Sequence, residues 1–190
     1  MHFTIDLKTG SLRQRGLDTD GTGCGESTGM KNELNKYRIT TETVISSDGT
    51  EVLLTIVRPT WATLPSPRPF VLIGYGAYGI PVSLEFDSQT LALLEKGFYV
   101  GYAHCRGGGE LGAAWHAAGR GMLKRNTFRD YKACAEYLIA EGWTSPSLLC
   151  GMGVSAGGLI MGVMANECSH LFVALVMRYE IWRYRCSDVI

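Results

Sequence analysis

Apolar and polar positions along the chain change character near Tyr37. From there, Tyr37 to Ile45 and Glu51 to Val57 are β-prone stretches separated by Ser46-Ser47-Asp48-Gly49, whose Asp-Gly step favours the positive φ of a hairpin turn. They predict an antiparallel pair. Pro59, Pro65, Pro67 and Pro69 then interrupt any ladder, so the next regular element is expected near Phe70. Four short runs follow, Phe70 to Ile73, Phe98 to Ala103, Leu148 to Met152 and Leu171 to Val176. Each is nearly continuously apolar, as strands covered on both faces should be.

Helical stretches lie between these runs. The clearest is Thr127 to Glu141, where Phe128, Tyr131, Ala135, Leu138 and Ile139 share a face, Asn126 can cap the start and Gly142 can end it. Leu84 to Lys96, closed by Gly97, is a second, and the almost wholly apolar Gly157 to Asn166 suits a helix buried against a sheet. Strand and helix alternate three times after the hairpin, so the predicted class is α/β, with a mostly parallel sheet and flanking helices.

Residues 1 to 35 read differently. Phe3-Thr4-Ile5-Asp6-Leu7 alternates and runs into Lys8-Thr9-Gly10, which suits a strand and turn whose partner strands the chain is not expected to supply. Gly16 to Gly29 is rich in Gly, Thr, Asp and Ser and reads as a loop or linker.

Composition narrows the function. The 190 residues, 46% hydrophobic, suffice for one buried domain, and 18 Lys plus Arg balance 18 Asp plus Glu. No excess charge draws the chain toward nucleic acid or an anionic membrane, and neither a secretory signal nor an apolar membrane span is visible. The six cysteines, Cys24, Cys105, Cys134, Cys150, Cys168 and Cys186, are scattered and suggest reduced thiols in the cytoplasm rather than a zinc site or disulfide framework. No metal or organic cofactor is expected.

Gly153-Val154-Ser155-Ala156-Gly157 is the motif that carries chemistry. A nucleophile standing clear of a sheet sits on a sharp turn from strand to helix, where side chains two positions either side would collide. Here a buried strand precedes Ser155 and an apolar helix follows, so the Ala156 amide would face an oxyanion forming on a substrate carbonyl. Gly74-Tyr75-Gly76-Ala77-Tyr78-Gly79, after the first core strand, is where such hydrolases place a further oxyanion donor. The same letters spell a dinucleotide-binding loop. That reading is weaker, because Pro81 and Ser83 delay the helix and no acid ends the next strand. Arg106-Gly107-Gly108-Gly109-Glu110 marks a tightly folded backbone at the ligand-binding edge of the sheet. His104, His116 and His170 read as solvated or hydrogen-bonded loop histidines rather than catalysts.

Together these segments, with Ala103-His104-Cys105 before the arginine, Leu111-Gly112 after the glutamate, Asn126-Thr127-Phe128-Arg129-Asp130-Tyr131, and Gly158-Leu159 after the serine motif, resemble the prolyl oligopeptidase family of serine peptidases, most closely its oligopeptidase B branch. The match runs from about Tyr37 to Val176. The resemblance implies an α/β-hydrolase catalytic domain with Ser155 as nucleophile, the Tyr75 hydroxyl and Ala156 amide as oxyanion donors, and short peptides as substrates. It also implies a β-propeller cap, of which residues 1 to 35 would be the end and linker, leaving residues 36 to 190 as a partial, C-terminally incomplete hydrolase domain.

In this fold the order is serine, acid, histidine, with the last two on loops well downstream. The likeness fades after Val176, and Asp188 lies in the unmatched tail, so the family's aspartate is not carried onto it. The residues that recognise a basic side chain in oligopeptidase B also lie downstream of the match. Without a base, Ser155 is a weak nucleophile; loss of the base from a comparable triad lowers kcat by on the order of a millionfold. Little activity is therefore expected of this chain alone, with an open sheet edge available for self-association. The alternatives are a general esterase or acylaminoacyl hydrolase, or a non-catalytic interaction module.

Overall fold

The computed structural model describes residues 2–6, 11–15, 36–62, 67–82, 84 and 88–178. Strands β1 (His2–Asp6) and β2 (Ser11–Arg15) pair antiparallel, from His2 opposite Arg15 to Asp6 opposite Ser11. The partner missing from the sequence reading is thus Ser11–Arg15, which has a single apolar residue, Leu12, and so little strand signal. The expected linker, Gly16 to Gly29, lies outside the described residues.

The main body is a six-stranded sheet ordered β3-β4-β6-β5-β7-β8. β3 (Tyr37–Ile45) and β4 (Glu51–Pro59) form the expected hairpin, with Gly49 at φ 85° in the turn. β4 nevertheless continues to Pro59. Thr60 N–H donates to Lys36 O, so Tyr37 and Pro59 form a non-hydrogen-bonded pair that needs no proline donor.

β5 (Phe70–Gly74), β6 (Tyr99–Ala103), β7 (Leu149–Val154) and β8 (Ala174–Arg178) run parallel to their neighbours in this group, while β4 pairs antiparallel to β6. β8 starts later than the apolar run at Leu171, because Ser169–Leu171 forms a 3₁₀ turn that reverses the chain.

Helix α1 covers Ser88–Glu95, shorter than expected, and Leu84 lies outside it. α2 (Ala113–Ala117) and a 3₁₀ turn (Gly121–Leu123) lead directly into α3 (Arg125–Ala140). Asn126 therefore does not cap α3. Lys124 holds the cap position in helical conformation, and Asn126 Nδ2 instead donates to Ala118 O over 3.0 Å. Gly142, at φ 72°, ends α3 by donating its N–H to Ile139 O.

α4 (Ala156–Glu167) follows β7 directly. Phe70, Leu72 and Leu149 of the sheet, Tyr131 and Leu138 of α3, and Ile160 and Met161 of α4 are fully buried together. Tyr131 also donates its hydroxyl to Leu72 O over 2.7 Å, satisfying the one polar atom it brings into this core. The packing fixes α3 and α4 against β5 and β7, whose carboxyl ends carry the candidate site.

Candidate active site

Gly74 and Gly153 are register partners in the parallel β5–β7 pair, so Tyr75 and Ser155 leave adjacent strands at nearly the same level. Ser155 has φ 53° and ψ −118°, a conformation that a non-glycine residue holds only under strain. Such a turn lifts the hydroxyl off the sheet, and the half-buried Ser155 faces the carboxyl edge. Two bonds secure it: Ser155 N–H donates to Arg178 O of β8 (2.9 Å), and Ser155 O accepts from Gly158 N–H (2.8 Å).

The flanking glycines are demanded by close packing. A Cβ at Gly153 would overlap the Gly157 carbonyl, and one at Gly157 would overlap the Gly74 carbonyl while reaching 3.5 Å from Tyr75 Cα. The first turn of α4 is thereby pressed against the start of the Tyr75 loop. Ala156, buried at its N-terminus, offers one of the amides that have no acceptor within the helix.

Tyr75 is half-buried, its ring 6.5 Å from that of Tyr78. Burial pushes its phenol above the usual range, so it stays protonated and can donate a hydrogen bond through neutral and mildly alkaline pH. Around it the chain is tightly held. Gly76 O accepts from Lys124 Nζ (2.5 Å) and more distantly from Thr127 Oγ1 (3.5 Å), and Gly79 N–H donates to Gly107 O (3.0 Å). A Cβ at Gly107 would overlap Gly76 O, which explains one glycine of the Arg106–Glu110 segment by backbone contact. Among the described residues no helix follows this loop until Ser88, unlike a dinucleotide-binding turn.

Arg106 anchors that segment from below. Asp130, fully buried, accepts from Arg106 N (2.9 Å), Nε (2.9 Å) and Nη2 (2.6 Å) and from Ser46 Oγ (2.7 Å), while Arg106 Nη1 reaches Asp48 at 2.6 Å. The guanidinium holds the Asp48 carboxyl well below its usual range. Lys124 carries no role in the sequence reading; Asp48 appears there only in the hairpin turn, Thr127 only as a helix start and in a family motif, and Arg106 and Glu110 only in a tight turn and a family motif. Their partners are main-chain groups and residues far away in sequence.

The three histidines are placed as follows. His104 is the hydrogen-bonded kind and is buried; its Nε2 lies 2.9 Å from Thr55 Oγ1 and its Nδ1 3.5 Å from Glu110. His116 Nδ1 donates to Gly107 O over 2.9 Å, and His170 is exposed ahead of β8, at the opposite end of the sheet from Ser155. Among the described residues no histidine side chain hydrogen-bonds to Ser155. Asp188 lies outside them, and among them no cluster suited to a metal ion occurs.

The arrangement is a half-buried serine on a strained strand-to-helix turn, with a helix amide and a phenol loop beside it. Known proteins resemble the chain in sequence and in fold. The sequence profile of the Prolyl oligopeptidase family matches residues 84–188. Protease 2 of Moraxella lacunata is 42% identical over 128 residues, 67% of this chain and 19% of that protein. The prolyl endopeptidase-like protein of Homo sapiens is 34% identical over 153 residues, 80% of this chain and 21% of that protein. The chain thus spans about a fifth of the length of these relatives.

Among solved structures, oligopeptidase B from Trypanosoma brucei, in a closed form with covalently bound antipain, superposes with a TM-score of 0.75 at 36% identity. It covers 92% of this chain and 24% of its own. Oligopeptidase B from Leishmania major gives a TM-score of 0.75 at 32% identity, with 92% and 23% coverage. With the profile spanning more than half of the chain, and with these neighbours sharing the same α/β-hydrolase architecture, the chain belongs to the prolyl oligopeptidase family.

Proposed function

We propose that this chain carries the nucleophile half of a serine peptidase that hydrolyses short peptides through an acyl-enzyme on Ser155. The observation that supports it most is the strained conformation of Ser155 between β7 and α4, level with Tyr75 on β5. Ser155 Oγ attacks the scissile carbonyl, and the oxyanion accepts hydrogen bonds from the Ala156 N–H and the Tyr75 hydroxyl. The serine proton passes to a histidine, which returns it to the leaving amine; water then releases the acyl group by the reverse route. By the family's chain order, that histidine and its aspartate follow Val176. A neighbour with covalently bound antipain is consistent with covalent chemistry at this site.

On this reading residues 36 to 190 are part of a catalytic domain and residues 1 to 35 the end of a propeller-like segment. The free thiols of Cys105, Cys134, Cys150 and Cys168 support a reducing, cytoplasmic setting, and no described helix is long and apolar enough to cross a membrane. Among the described residues β8 has no neighbour on its outer side, and Val173 and Met177 are exposed there, which supports self-association through that edge. A clean monomer on size exclusion would refute the last point.

The test is labelling with a fluorophosphonate, mapped by peptide mass spectrometry, on the native protein carrying this sequence and on the recombinant 190-residue chain. The native protein is expected to carry the adduct on Ser155, and the recombinant chain to label far more slowly. An adduct on another residue would overturn the nucleophile assignment. A burst from the recombinant chain matching an intact serine peptidase would overturn its dependence on a downstream base.

A further inference from the structure

We propose that Lys124 is a positioning residue for Tyr75: its buried ammonium, donating to the Gly76 carbonyl, fixes the loop that aims the tyrosine hydroxyl at the oxyanion. The inference rests on the oxyanion role given to Tyr75 above. Lys124 is 7% exposed, in the short connection between the Gly121–Leu123 turn and α3. Lysine is seldom buried to this degree without a counter-charge, and desolvation lowers its pKa to about 8. The ammonium lies 2.5 Å from Gly76 O, with the Phe128 ring centroid 6.0 Å away on its own helix.

The geometry of the loop says what this contact does. Tyr75 stands between two glycines. On its amino side Gly74 is paired on both sides in the sheet and covered by the Tyr131 ring. On its carboxyl side Gly76 has φ 60°, where a glycine turns freely, so an external bond must hold it. Gly76 O is wedged against Gly107, and a buried carbonyl needs a donor. Thr127 Oγ1 is a poor one at 3.5 Å, since its short bond of 2.6 Å goes to Arg106 O. Lys124 is therefore the principal donor. The carbonyl supplies no full charge in return, so a buried cation has been placed here at a cost that a neutral residue would avoid.

The titratable and charged groups around the ammonium are Cys105, whose thiol burial keeps protonated well above neutral pH, and behind it Asp130 paired with Arg106, and Glu110.

The experiment is ¹⁹F NMR of the full chain with 3-fluorotyrosine incorporated, the Tyr75 resonance being assigned by its loss in Tyr75→Phe. In Lys124→Met the Tyr75 resonance is expected to shift or broaden while those of Tyr99 and Tyr131, deep in the core, hold their positions. Lys124→Arg, which keeps a cationic donor, is expected to return it toward the wild-type position. An unmoved Tyr75 resonance in Lys124→Met, a shift shared equally by Tyr99 and Tyr131, or a Lys124→Arg resonance that stays where Lys124→Met puts it would overturn the proposal. None of these outcomes depends on Ser155 being reactive, so an unlabelled Ser155 would refute the peptidase reading and leave this result standing.

Discussion

Replacing Asp130 with alanine removes the acceptor on which the Arg106 segment hangs. Asp130 is fully buried, and its two oxygens accept three bonds from Arg106 and one from Ser46. The variant leaves Arg106, 5% exposed, with Asp48 as its remaining carboxylate, a main-chain N–H without its acceptor, and the Ser46 hydroxyl without the acceptor of its proton. Each orphaned group costs about 1–3 kcal/mol, and breaking a buried pair from one side about 3–5 kcal/mol in all, because part of the loss is recovered by relaxation toward water. The expected destabilisation is therefore about 4 kcal/mol, which lowers Tm by on the order of 10 °C in a chain of this size. The double variant Arg106→Met/Asp130→Leu removes both charges and should be milder than the single one, since no uncompensated cation remains. Urea unfolding followed by circular dichroism measures all three proteins. A loss below about 1 kcal/mol for Asp130→Ala, or a double variant no milder than the single, would refute the reasoning.

The remaining predictions are these. Ser155→Gly should raise stability by about 1–2 kcal/mol by relieving the backbone strain at φ 53°, while abolishing fluorophosphonate labelling; an unchanged melting temperature would deny that the turn is strained. Tyr75→Phe in the native protein should slow peptide turnover by about 10²–10³-fold through loss of one oxyanion donor, with KM little changed. A KM effect alone would assign Tyr75 to substrate binding. Because the Arg106 hydrogen bond depresses the Asp48 carboxyl, that pair stabilises the fold above the unfolded aspartate pKa of about 4, and the contribution is lost as acid protonates Asp48 below it. Asp48→Asn should therefore flatten the loss of stability below pH 4, and an unaltered acid profile would contradict the pairing.

The sequence made the centre of the sheet legible because β5, β6 and β7 are apolar runs too short for helices and bounded by glycine or proline signals. It misplaced the edges, where local pattern and tertiary demand diverge. β8 is delayed by the 3₁₀ turn at Ser169–Leu171, and β2 has almost no apolar signal. The cap of α3 was misread because the helix already begins at Arg125, with Lys124 at the cap position, so Asn126 lies inside its first turn and its Nδ2 donates to Ala118 O. At the site, Ser155 and Ala156 stood out as candidates because a turn that displays a nucleophile constrains the five residues Gly153 to Gly157, whereas Tyr75 came only through the family resemblance. Lys124, Asp130 and Arg106 did not stand out, because each acts on a group remote in sequence: Gly76 is 48 positions from Lys124, and Ser46 is 84 from Asp130. Nothing local marks Lys124 as different from a surface cation.

The central claim is that Ser155 is a peptidase nucleophile, and the most direct test is to purify the native protein with an antibody raised against this chain and treat it with a fluorophosphonate. Mass mapping is predicted to find the adduct on the peptide containing Ser155 and on no other serine, and prior heat unfolding should abolish it. An unlabelled native protein beside a fully labelled serine peptidase in the same reaction would contradict the account.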